Sequence, residues 1–378
     1  MMTTTVSYKQ IESLDKLPAP DSTGVVTHYV FQYIDFNKAP QYIAARHRFS
    51  DCFFFGCEIP KELEDGIGTS CLVFPRMGMP YNVFRSKLYT AEYLYDGYDP
   101  ENEDTFPNCF DSKVYADYIE KGKESDNIRE TLGRSLHDHA IGEAMNDFLS
   151  RFDERQVVAV MGGHALKRTD DAYATITYIS KCLTERGKLM ASGGGPGAME
   201  ATHLGAWMAG KSQEDLEDAL TMLKVAPTFR DPGWLRTAFE VRKKYPQEMY
   251  RSLGIPTWFY GHEPSTPFAT HIAKYFENSL REDHILTLAF GGTIYAPGSA
   301  GTLQEIFQEA VQNHYLSYGF SSPMIFLGKR FWTEEIPVYP LMDRLMHTGK
   351  YRNLLLTLTD DIDEVVHALQ AYSQQATR

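Results

Sequence analysis

The hydrophobic pattern changes character part-way along the chain. From residue 156, short β-branched runs alternate with segments of helical period. QVVAVMGG at 156–163 precedes DDAYATITYISKCLTERG at 170–187, and KLMASGGG at 188–195 precedes GAMEATHLGAWMAG at 197–210. Further strands are predicted at IPTWFY (255–260), TIYAP (293–297) and PMIFLG (323–328), with helices between and after them. Strands alternating with helices predict a parallel sheet covered on both faces, because each crossover packs its helix onto the sheet. Residues 211–250 read as an inserted helical pair broken at Pro227 and Pro232.

The first part of the chain is different. Residues 1–110 carry aromatic-rich, turn-rich runs such as THYVFQYIDF and DCFFFGCEIP with no firm period, a mixed α+β extension. No repeat of solenoid period is read anywhere in the chain. Over 126–151, Ile128, Leu132, Leu136, Ala140, Ile141, Ala144, Met145 and Phe148 form a 3.6-residue stripe that predicts an amphipathic connecting helix. The predicted organisation is therefore an extension over 1–150 ending in that helix, then a Rossmann-like α/β domain over 151–378 with its insertion at about 211–250.

Composition narrows the function. With 37 basic and 50 acidic side chains the net charge is −13, which repels a nucleic-acid polymer and leaves phosphate to be held locally. The apolar runs fall far short of the roughly 20 residues that span a bilayer, and no signal-peptide pattern opens the chain, so neither membrane nor export is expected and the cytoplasm is the expected location. The five cysteines, at 52, 57, 71, 109 and 182, are scattered and read as reduced thiols. His137 and His139, two apart on a helix, point to different faces and make no metal site.

Two glycine-rich stretches carry the chemistry: SGGGPGAME at 192–200 and PGSAGTLQE at 297–305. Each lies where a strand turns into a helix, the usual ligand position in such sheets. Glycine lets the backbone approach an anion, and the first free N–H groups of the helix point at it. The dinucleotide fingerprint is not met: the first turn is MGGHALKR, and Glu200 stands where a third glycine belongs. No P-loop motif occurs.

The pair GGGPGAME and PGSAGTLQE resembles the signatures GGGxxGxM and PGGxGTxxE of the LOG family, the cytokinin-activating nucleoside 5'-monophosphate phosphoribohydrolases long taken for lysine decarboxylases. The resemblance covers roughly 156–370, including the MGG turn, REDHILTLAFGGTIYAPGSAGTLQE, PMIFLG and LTLTDDIDEVVHAL. Longer bacterial relatives, which cleave purine or pyrimidine nucleoside monophosphates, also carry N-terminal additions, and this chain is similar to them in plan. The resemblance implies a doubly wound Rossmann-like sheet, an N-glycosidase without cofactor or metal, and a homodimer with active sites near the subunit interface.

The expected cradle for sugar and phosphate comprises Gly162, Gly163, Gly194, Gly195, Gly197, Gly298, Ser299, Ala300, Gly301 and Thr302. Ser299 replaces the family's second glycine, and its hydroxyl is a potential phosphate donor. Breaking an N-glycosidic bond builds positive charge on the ribose, so a carboxylate near C1' stabilises it and aligns water. Glu305, one turn into its helix and aimed back at the helix start, is the first choice. Arg281 corresponds by similarity to the family's arginine, within one residue of spacing. Glu200 is expected to hold ribose hydroxyls. For His164 and Lys167 a polar loop is the default, and Tyr315 and Tyr318 read as packing or dimer contacts. The expected activity is hydrolysis of a nucleoside monophosphate, AMP-like or other. A non-catalytic nucleotide sensor and a base-exchange transferase are the alternatives.

Overall fold

A computed structural model describes residues 7–261 and 263–375. Residues 1–6, read above for a targeting signal, lie outside the described residues, as do 376–378. The chain forms two compact units: described residues up to Phe84 with Asp126–His137, and Arg85–Ser125 with the described residues from Asp138 on.

The smaller unit does repeat, contrary to expectation. Val25–Thr27 pairs in parallel with Arg48–Ser50, and Tyr29–Gln32 with Phe53–Phe55, so Val25 faces Arg48 and Val30 faces Phe53 at a step of 23 residues. His28 and Asp51 turn the corner between the two strands of each coil, and Tyr33 and Gly56 end it, all at positive φ. The rings of Phe31 and Phe54 stack at 5.0 Å inside. Leu72–Phe74 and Lys9–Ile11 complete a parallel four-stranded sheet. What recurs is backbone conformation rather than residue identity. VVTH and RFSD share a shape but no residue, and the next step shortens to 19, from Phe53 to Leu72.

The connecting helix is Ile128–Leu149. Its buried side is apolar only in the second half, at Ile141, Ala144, Met145 and Phe148. In the first half Glu130, Arg134 and His137 are buried, whereas Ile128 is 80% exposed. Part of the predicted stripe therefore faces outward.

The larger unit is α/β, with a seven-stranded parallel sheet flanked by helices. Its strands are β1 Val157–Met161, β2 Leu189–Ser192, β3 Ser252–Gly254, β4 His271–Ile272, β5 Thr293–Tyr295, β6 Pro323–Leu327 and β7 Leu355–Thr359. The order is β4-β3-β2-β1-β5-β6-β7, every neighbour parallel. Winding outward from β1 in both directions places the switch point between β1 and β5, where crossovers diverge and leave a crevice. Helices cover both faces, which is why VVAVM is buried at all five positions. The predicted strand 255–260 is displaced: the strand is SLG, and IPTWFY beyond it keeps only an isolated parallel bridge, Thr257 with Tyr275. Pro256 has no N–H for a ladder, and Trp258 is buried by packing, donating its indole N–H to Asp111 at 2.8 Å.

Five helices frame the site: α1 Asp171–Glu185, α2 Ala198–Trp207, α3 Trp234–Lys244, α4 Asn278–Thr287 and α5 Ala300–Tyr315. Gln213–Leu223 and α3 are the inserted pair, parted by the segment holding both prolines.

Candidate nucleotide site at the sheet switch point

Three turns meet at the carboxyl ends of β2, β1 and β5. Gly163, after β1, donates its N–H to the Pro297 carbonyl at 3.1 Å, and its own carbonyl accepts the Ala198 N–H at 3.1 Å. One residue thus ties the MGG turn to both glycine stretches. The approach is too close for side chains: a Cβ on Gly197, at φ 70°, falls 2.4 Å from the Gly163 oxygen, and one on Gly162 falls 2.7 Å from Ala198 Cβ. Some of these glycines are therefore needed for turn-on-turn packing whatever ligand is bound.

The two stretches differ in accessibility. Gly193, Gly194, Gly195 and Gly197 are buried, and the Gly194 carbonyl accepts the Thr266 N–H at 2.8 Å. Gly298 is partly exposed, Ser299, Ala300 and Gly301 are exposed, and Thr302 is buried. These residues begin α5, whose first N–H groups lack intrahelical acceptors and face the crevice end of the sheet. Ser299 sits at φ −122°, so the turn needs no glycine there.

Arg281 lies on α4, whose start is fixed by Asp138: its carboxylate accepts the Phe276 N–H at 2.9 Å and the Glu277 N–H at 2.8 Å. The guanidinium donates to Asn278 Oδ1 at 2.9 and 3.3 Å and passes 3.7 Å from the point a Gly193 Cβ would occupy. It therefore borders the first glycine stretch. Its charge is also felt by Glu305, one turn into α5. Burial pushes the Glu305 carboxyl up to about 7, the Arg281 charge lowers it and Glu282 raises it. A carboxyl balanced near neutrality, beside a cation and a helix start, suits proton transfer or charge stabilisation.

Glu200 is placed otherwise. Fully buried, it accepts from Arg168 Nε at 2.9 Å and Nη2 at 2.6 Å, and from the Tyr173 hydroxyl at 2.9 Å. Arg168 also donates to Thr237 Oγ1 at 2.9 Å and the Trp234 carbonyl at 3.1 Å, and stacks 4.7 Å from the Trp234 ring centroid. Both carboxylate oxygens are thus engaged within the protein.

His164 and Lys167 are exposed and, with Pro196, Gly197, Phe229, Arg230 and Trp234, line a cleft of about 220 Å³. His164 Nδ1 lies 3.6 Å from the Glu263 carboxylate. Sequence reasoning missed Arg168, Tyr173 and Glu309. Glu309, one turn beyond Glu305, is buried, accepts from the Ser322 hydroxyl and is also pushed up to about 7 by burial. The signals were present: Glu305 and Glu309 are four apart on one helix face, and Arg168 follows the first turn directly.

No family model matches the chain, and no curated protein matches it. Among solved structures it is similar to the molybdenum cofactor binding protein from the phototrophic bacterium Rippkaea orientalis, at 14% identity and a TM-score of 0.36, over 57% of this chain and 96% of that one. It is also similar to TM1055, a structural-genomics target, at 18% identity and a TM-score of 0.38, over 57% of this chain and 98% of that one. Both are likenesses of fold, and the site stands on its own residues. Among the described residues no helix is long and apolar enough to cross a membrane.

Proposed function

We propose that the chain binds a nucleoside 5'-monophosphate at the switch point and hydrolyses its N-glycosidic bond, releasing free base and ribose 5-phosphate. The observation that carries this reading is Glu305, its carboxyl raised to about 7 in the first turns of α5 by burial and lowered against that by the Arg281 charge. The phosphate lies at the start of α5, on the N–H groups of Ser299, Ala300, Gly301 and Thr302, with the serine hydroxyl as a further donor. The sugar lies against the backbone of Gly163, Gly195 and Gly298, whose lack of side chains lets the turns close on one another. As the C1'–N bond breaks, its electron pair leaves with the base and positive charge grows on the ribose. Ionised Glu305 stabilises that charge and takes a proton from water as the water oxygen bonds to C1'. Arg281 steadies the negative charge of the phosphate or departing base. Glu200 holds the wall of the site through Arg168 and does not touch the sugar. The assembly in this reading is a homodimer, and 71%-exposed Tyr315 and 44%-exposed Tyr318 offer apolar surface for it.

Incubation with a panel of purine and pyrimidine nucleoside monophosphates, with free base followed by chromatography, is the test. At least one member releases base. Glu305→Gln lowers that turnover by about 10²- to 10⁴-fold while retaining substrate binding. Release of base from none of them, or undiminished turnover in the variant, overturns the reading.

A further inference from the structure

A larger cavity adjoins the cleft and has a different lining. It measures about 430 Å³, and its walls include Tyr98, Phe106, Tyr115, Phe229, Trp234 and Glu103. Phe229, Arg230 and Trp234 line both spaces, so the two share one wall. Its volume falls within the roughly 300–1,000 Å³ of small-molecule sites. We infer that this cavity receives a planar heteroaromatic ring, the base of the nucleotide whose sugar and phosphate occupy the switch point. The inference rests on the nucleotide reading above.

Its walls are set in advance. Trp234 is only 3% exposed and is braced by the Arg168 guanidinium, itself locked to Glu200. The helix bearing Glu200 therefore fixes the cavity wall as well as closing the glycine turn. Tyr115 fits because residue 261 is glycine: a Cβ there would fall 2.4 Å from Tyr115 Cδ2. The aromatic side chains of the lining offer stacking to any base, a sequence-tolerant contact.

Polar features supply direction. The Tyr98 hydroxyl is buried without a hydrogen-bond partner. Burial, with a smaller effect from Glu103, pushes it up to about 12, so at neutral pH it remains a donor in need of an acceptor. Glu103 accepts the Gly233 N–H at 2.6 Å and holds the rim of α3. Arg230 is exposed, lies 5.3 Å from the Phe229 ring centroid and has no carboxylate at ion-pair distance among the described residues. A ring with a carbonyl or ring-nitrogen acceptor answers Tyr98, and Arg230 extends the stacking wall as a cation. A ligand without an acceptor forgoes that hydrogen bond and its contribution to affinity.

The test separates the base from the sugar phosphate. Free adenine, guanine, cytosine and uracil, and ribose 5-phosphate, are titrated by calorimetry into the full chain and into Phe229→Ala and Tyr98→Phe. At least one base binds the unaltered protein. Phe229→Ala weakens that binding about tenfold, and Tyr98→Phe, which keeps the ring, weakens it roughly fivefold. Neither changes ribose 5-phosphate binding, which also reports that both variants are folded. Failure of all four bases to bind, or binding unchanged in both variants, overturns the inference. If that happens while nucleoside monophosphates are still hydrolysed, only the cavity assignment falls. If bases bind as expected but no monophosphate is cleaved, only the hydrolase reading falls.

Discussion

Glu200 and Glu305 occupy matching places in matching motifs, and the fold treats them in opposite ways. Each follows a glycine turn after a sheet strand and lies in the first turns of the next helix. Glu200 is fully buried with both oxygens bound by Arg168 and Tyr173. Glu305 has a cation close enough to act electrostatically, yet burial dominates and its carboxyl rises to about 7. The difference lies in the partner. A bidentate arginine at hydrogen-bond distance satisfies a buried carboxylate and fixes it in structure. An arginine occupied by Asn278 leaves its carboxylate available for chemistry. A glutamate behind a glycine turn is thus no functional signal until its cation is located.

Removing that partner gives the largest effect on stability. Arg168→Ala leaves Glu200 charged, buried and without its cation, and strips a support from Trp234. We expect a loss of about 3–5 kcal/mol in denaturant unfolding. A loss below about 1 kcal/mol means that Glu200 has other partners or solvent, and the contrast with Glu305 weakens. Glu305→Gln behaves in reverse, with turnover lost and stability nearly kept, because an unpaired carboxyl near neutrality already spends part of its time protonated.

The pH dependence sharpens the same contrast. Glu305 and Glu309 both titrate near 7 in the folded protein, above the usual glutamate value of 4.5. Between those values the folded state binds more protons than the unfolded state, so stability falls as pH rises from about 4.5 to 7. The fully buried Glu309 contributes on the order of 1–3 kcal/mol to that decline. In Glu309→Gln the decline between pH 5.5 and 7.5 becomes shallower, as thermal melts at the two values show. An unchanged slope means that Glu309 is not protonated in the fold. Turnover has the opposite sense: ionised Glu305 makes kcat/KM fall as pH drops below about 7.

How much of this was legible beforehand depends on which physical signal each element carries. The sheet was legible from β1, β2, β5 and β6, whose β-branched or apolar runs end in glycine or proline. β3 was not, because its three residues SLG carry almost no periodic signal and the apolar run beside it is a buried loop. The coils at 25–55 were illegible because a repeated backbone shape, with His28 answering Asp51, leaves little repeated identity beyond Phe31 and Phe54. The glycine turns themselves were legible; that they meet depends on the strand order, in which β2 and β5 flank β1 and the turn after β1 joins both. The fate of Glu200 was not: Arg168 lies 32 residues away, and only the packing of the loop before α1 against α2 brings them together. Local spacing encodes where a helix starts, and long-range pairing decides what its first acid does.

The smallest effect is expected at the open turn. Ser299 has φ −122°, so glycine there relieves no strain and adds only unfolded-state freedom. Ser299→Gly therefore destabilises by about 0.4–1 kcal/mol, read from the unfolding midpoint. The contrast is Gly197→Ala in the closed turn, where a Cβ at φ 70° meets the Gly163 carbonyl at 2.4 Å and the loss is larger. If the serine hydroxyl donates to phosphate, Ser299→Gly also weakens ribose 5-phosphate binding roughly fivefold, the worth of one hydrogen bond. Unchanged affinity would leave the backbone N–H groups of α5 holding the anion without it, as they do in a turn built with glycine.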